Sequence, residues 1–110
     1  MYRNVIQAYC KQTMIDIKHL IWDDWNVTHI ARHGVIPEEV EEVCQLNPQA
    51  EDAKKGRLRI TGLTQKGRTI SAFLDPEPER GVYYPVSARD ASKKEREDYK
   101  VWSKGGEQAA

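Results

Sequence analysis

Long apolar runs are missing from this chain: none approaches the roughly 18 consecutive apolar residues that a membrane-spanning helix needs, so no membrane role is expected. Val5, Ile6, Ala8 and Tyr9 are interrupted by polar groups and make no apolar core of a signal peptide, which points to the cytoplasm. Cysteine is scarce as well. Cys10 and Cys44 are the only two, without CxxC spacing, and read as reduced thiols rather than a disulfide or zinc framework. There is no glycine-rich phosphate loop, no nucleophile elbow and no recognisable Cys–His pair. The common cofactor enzymes are thereby disfavoured, and no cofactor is expected.

Net charge is absent too, with 17 Lys and Arg against 17 Asp and Glu. The balance hides an asymmetry. Residues 1–53 hold 4 basic and 9 acidic groups, a balance of −5, whereas residues 54–110 hold 13 and 8, a balance of +5. Nucleic-acid binding shows as a basic patch rather than a basic total, so the second half is where such a patch belongs. A chain of 110 residues with 39% hydrophobic and 31% charged residues suits one soluble domain with one core.

The pattern predicts an α+β domain over 14–102, preceded by an extension at 1–13 and followed by a flexible tail at 103–110. The extension reads as a short docked helix or as a segment ahead of a start at Met14. A first strand is expected through Ile15, Ile17 and Leu20-Ile21-Trp22, then a helix capped at Asp23-Asp24 and ended at Gly34. Val27, Ile30, Ala31 and Gly34 should face the core, with Asn26, His29, Arg32 and His33 on the other side. A second helix starts at Pro37, buries Val40, Val43 and Cys44, and stops at Asn47-Pro48. Gln49 to Gly56 reads as a connection or a weak edge strand.

From Arg57 the period becomes 2, giving three strands joined at Gln65-Lys66-Gly67 and across the acidic loop Asp75 to Gly81. Ser92-Lys93-Lys94-Glu95 is a capping box that opens a last helix with Tyr99 and Trp102 on its packed side. If the strands pair antiparallel, one face is buried under the helices. The other, open face then gathers Arg57, Arg59, Thr69, Ser71, Tyr83, Ser87 and Arg89.

That face carries the chemistry. Guanidinium groups bind phosphate bidentately and keep their charge when partly desolvated, so Arg57, Arg59 and Arg89 with the Ser87 hydroxyl can hold an RNA backbone and stabilise a phosphorane-like charge. Tyr83 and Phe73 offer aromatic surface for an unstacked base. Histidine suits proton transfer near neutral pH; His19 lies in the first strand, while His29 and His33 stand one helical turn apart. Their spacing would suit zinc, but no HExxH pattern joins them, so no metal is assigned. At the helix end His33 serves as a cap or a catalyst, and Glu95 serves as the partner of Ser92 rather than as an acid catalyst.

The order Trp22-Asp23-Asp24-Trp25-Asn26, His29 to Val35 with its HGV, Pro37-Glu38-Glu39-Val40, Gly62-Leu63-Thr64 with Gly67-Arg68, and Ser87-Ala88-Arg89 with Glu95-Arg96 and Tyr99 resembles the BrnT toxins over about Ile15 to Tyr99. The resemblance implies a RelE-like ribonuclease fold and the toxin half of a type II toxin–antitoxin pair. It implies metal-independent RNA cleavage by attack of the ribose 2′-hydroxyl on the adjacent phosphate. His33, Arg59, Ser87 and Arg89 become the catalytic candidates, His33 moving protons, Arg89 and Arg59 holding phosphate charge and Ser87 positioning it. His29, Arg57, Arg68 and Tyr83 become RNA contacts. The implied partner is a ribbon-helix-helix antitoxin of the BrnA kind, encoded nearby, through which alone operator DNA would be met. Two other readings are a catalytically silent interaction module with an antitoxin-like partner, and a zinc enzyme using His29 and His33.

Overall fold

The computed structural model describes residues 6–10 and 13–109, with side chains over 16–104. Among the described residues seven strands form one mixed sheet: β1 (Ile6–Cys10), β2 (Thr13–Ile17), β3 (His19–Leu20), β4 (Gln49–Asp52), β5 (Leu58–Leu63), β6 (Thr69–Pro76) and β7 (Val82–Asp90). Their spatial order is β2-β1-β4-β5-β6-β7-β3. In the same residues three α-helices accompany them: α1 (Asp24–Ala31), α2 (Pro37–Gln45) and α3 (Lys93–Ala109). The α+β class is as expected, but the order of elements differs in detail. The anticipated first strand is two short ones on opposite edges of the sheet, and Ile6–Cys10, expected in an appended segment, is a strand paired with β2 and β4. The sheet is not purely antiparallel either, because β1 runs parallel to β4 and β3 parallel to β7. Gln49–Asp52 is an interior strand, and α3 continues as helix to Ala109 where a tail was anticipated.

The central meander follows from period 2. Leu58 and Ile60 on β5, Ile70, Ala72 and Leu74 on β6, and Ala88 on β7 share one face and join the core cluster with Ile30, Val35, Val40, Val43 and Cys44 from the α1–α2 layer. On the same face Gly62 makes room for α2, since a Cβ there would lie 3.1 Å from Val43 Cγ1 and 3.4 Å from the Val43 carbonyl oxygen. Cys44 is fully buried, and loss of hydration pushes its thiol well above the ordinary range. The side chain of Cys10 lies outside the described residues.

Helix α1 turns a different face inward from the one its apolar spacing suggests. Asn26 and Ile30 are its buried residues, while Val27, Ala31 and Gly34 are exposed. The reason is the cap: Asn26 N–H donates to Asp23 Oδ1 at 3.0 Å, Asn26 Oδ1 accepts the Asp23 N–H at 2.9 Å, and Asn26 Nδ2 donates to the Ile21 carbonyl at 2.9 Å. With its amide oxygen and nitrogen each hydrogen-bonded, a polar side chain can be buried at little cost, and α1 is rotated to permit it.

Helix α3 lies over the opposite face of the sheet. Its capping box is formed as expected, Glu95 N–H donating to Ser92 Oγ at 3.1 Å and Ser92 N–H to Glu95 Oε1 at 2.9 Å. Tyr99 is buried and donates its hydroxyl to the Asn47 carbonyl at 2.8 Å. The supposedly open face is therefore partly roofed, so the sheet lies between two helical layers.

A candidate oxyanion site beneath the third helix

Register places the polar row. Arg59 stands opposite Phe73 and Glu51, Thr61 opposite Ser71, Ser71 opposite Arg89, and Phe73 opposite Ser87. Residues opposite one another share a face, so Arg59, Ser71, Phe73, Ser87 and Arg89 are gathered as the alternation predicts. Arg57 joins them at the end of the row through Asp75, its Nε donating at 3.2 Å.

Tyr83 does not. Between β6 and β7 the register runs Leu74↔Pro85 and then Phe73↔Ser87, which leaves Val86 without a partner. This bulge inverts the alternation, so Tyr83 lies against the core instead, half-buried beside Leu20, its partner on β3. Burial, with Asp16 nearby, raises the Tyr83 phenol above its usual range.

One carboxylate organises the row. Arg89 grips Glu95 in a two-pronged pair, Nη1 to Oε1 at 2.8 Å and Nη2 to Oε2 at 3.0 Å. Ser71 Oγ donates to Glu95 Oε1 at 2.9 Å. Its single proton is thereby used, so in the 2.8 Å Thr61–Ser71 contact the Thr61 hydroxyl is the donor. Burial alone would push the Glu95 carboxyl up, but Arg89, the Ser92 N–H and the Ser71 hydroxyl outweigh it and hold the group at about 2. The Arg89 guanidinium also sits 5.2 Å from the centre of the Phe73 ring.

Arg59 is held differently. Its Nη1 is 3.7 Å from Glu95 and its Nη2 is 3.7 Å from Glu51, too far for a hydrogen bond, and its Nε is buried with no partner. Glu51 and Glu95 as arginine partners, and Ser71 as a donor to Glu95, are not visible in the sequence, where Glu95 reads only as a cap. The i to i+3 capping spacing is visible locally, whereas the Arg89–Glu95 grip depends on how the last helix folds back over the sheet.

The remaining expected site residues lie elsewhere. His33 follows α1, in the helical layer on the other face, and its ring meets His29 edge-on at 6.0 Å. His29 in turn stacks on exposed Trp25 at 4.8 Å. Among the described residues no group of three His, Cys, Asp or Glu side chains is placed to hold a metal ion. Arg68, expected to contact RNA, is a cross-link: Nε donates to Asp90 Oδ1 at 2.8 Å, and Nη1 to the Gly34 carbonyl at 2.9 Å and Glu39 Oε1 at 3.0 Å. Its own N–H donates to Thr64 Oγ1 at 3.1 Å. The segments following His33, Pro37, Gly62 and Arg89 thus meet at one guanidinium. A cavity of about 460 Å³ lined by Leu63, Tyr99, Lys93, Arg96 and Lys100 opens beside α3 without including any expected site residue.

No protein family, curated protein or solved structure matches this chain.

Proposed function

We propose that this protein is the toxin of a type II toxin–antitoxin pair, a RelE-like endoribonuclease of the cytoplasm that cleaves RNA without a metal. The observation that carries this reading is the convergence of Arg59, Arg89 and the Ser71 hydroxyl on a single carboxylate beside Phe73 and Ser87. Donors so arranged suit a phosphodiester. The 2′-hydroxyl would lose its proton to water as its oxygen attacks phosphorus, the bond from phosphorus to the 5′-oxygen would break, and that oxygen would take a proton from water, leaving a 2′,3′-cyclic phosphate and a 5′-hydroxyl. Fixed guanidinium groups lower the barrier by holding the charge that develops on the non-bridging oxygens. Phe73 offers a ring against which a base can rest. His33 stands in the other helical layer, so its proton-transfer role is not retained; Ser87 stays a positioning group. The partner on this reading is a ribbon-helix-helix, BrnA-like antitoxin that shields the face and alone meets operator DNA.

The test is incubation of purified protein with total RNA in EDTA. Cleavage leaving cyclic phosphate ends is expected, with Arg89→Ala slower by about 100-fold or more, the usual loss on deleting a charge-stabilising donor. Intact RNA with wild-type protein, together with normal growth on expression, would sink the reading.

A second reading, a catalytically silent module that binds an antitoxin-like partner, draws on the same geometry, because Glu95 already fills the Arg89 fork. A co-purified partner with no RNA cleavage would select it.

A further inference from the structure

The Glu95 carboxylate does not satisfy all the donors around it. Three of them crowd onto Glu95 Oε1, from Arg89, Ser71 and Ser92 at 2.8–2.9 Å, while Oε2 takes one Arg89 bond at 3.0 Å. Arg59, its side chain 20% exposed, makes no side-chain hydrogen bond among the described residues and leaves a buried Nε unpaired. Buried donors are nearly always satisfied, so this Nε–H marks a place where a further acceptor fits. A tetrahedral group with several oxygens could meet the Arg89 fork on one side and Arg59 on the other, which a carboxylate bound edge-on to Arg89 does not do.

We infer that Arg59, Arg89 and the Ser71 hydroxyl form a binding site for a phosphate or phosphodiester group, and that the Glu95 carboxylate fills it until such a ligand displaces it. The assignment of that ligand to RNA rests on the function proposed above; the site itself does not. Displacement is local, since Glu95 sits in the first turn of α3 and its side chain alone has to turn away. Its backbone N–H keeps the Ser92 hydroxyl as partner at 3.1 Å.

The test measures inorganic phosphate binding by calorimetry at low ionic strength in wild type, Glu95→Gln and the double variant Glu95→Gln with Arg59→Met. Glutamine preserves the capping interaction with Ser92 while removing the competing charge. Phosphate should bind Glu95→Gln at least tenfold more tightly than wild type, and Arg59→Met should abolish the gain. Equal affinity in wild type and Glu95→Gln, or a gain that survives Arg59→Met, overturns the inference. Should Glu95→Gln fail to fold, the guanidinium Nε–H resonances of wild type decide: Arg59 must shift on saturation with phosphate, and an unmoved Arg59 overturns the inference. A short 2′-O-methyl RNA oligonucleotide, which cannot be cleaved, distinguishes a phosphodiester ligand from a free oxyanion. Tight phosphate binding without RNA hydrolysis would keep the site and discard the nuclease. Hydrolysis by wild type with no gain in Glu95→Gln would do the reverse.

Discussion

Burial by itself raises a carboxyl, yet Glu95 is held at about 2 because Arg89, Ser92 and Ser71 all donate to it. A carboxyl whose folded value lies below its unfolded value near 4.5 adds stability that is complete above that value. The contribution fades as pH falls from about 4.5 toward about 2 and is gone below. The urea midpoint of wild type should therefore drop more steeply than that of Glu95→Gln between those limits; parallel slopes would show that Glu95 is not engaged in solution. The sequence made the arginine–hydroxyl row legible because strand alternation is a local property. It did not reveal that α3 lays a carboxylate across that row, since a residue's partner across a fold depends on a turn angle that no periodicity encodes.

Among the elements, α1 and α2 teach different lessons about patterning. Helix α2 buries Val40, Val43 and Cys44 as its spacing indicates, whereas α1 buries Asn26 beside Ile30 and leaves Val27 37% exposed. With Ile30 as its one buried large apolar residue, α1 is oriented by its cap and by the Asn26 bond to Ile21 rather than by an apolar stripe. The helix-to-sheet contact at Gly62 is the sharper test. Gly62→Ala places a methyl 3.1 Å from Val43 Cγ1, which should cost about 1–3 kcal/mol as overpacking does. A lowered melting temperature measures it; an unchanged one would mean that α2 stands further from β5 than described. Gly62 has a packing role here, as a place where α2 comes close to β5.

For the molecule as a whole, Arg68 ties the turn after α1, the first turn of α2 and the end of β7 into one unit. Arg68→Met keeps the stem but deletes the charge and donors, leaving Glu39 and Asp90 without their partner. Amide exchange should speed up through Gly34–Ile36 and at Asp90–Ala91, with a loss of roughly 1–3 kcal/mol in global stability; unaltered exchange there would remove the cross-link from the account. From sequence Arg68 became an expected RNA contact through the resemblance that Gly67-Arg68 helps to carry. Only tertiary structure shows that Gly34, Glu39 and Asp90 have already engaged it.

The unpaired Val86 has a consequence for anyone altering β7. It acts as a change of parity: odd-numbered positions before it face the core, as Tyr83 and Pro85 do, and odd-numbered positions after it face α3, as Ser87 and Arg89 do. Removing that one residue would restore strict alternation and force a choice. Either Tyr83 is thrown out of the core or Arg89 is turned into it, so the strand can keep its core or its arginine site, but not both.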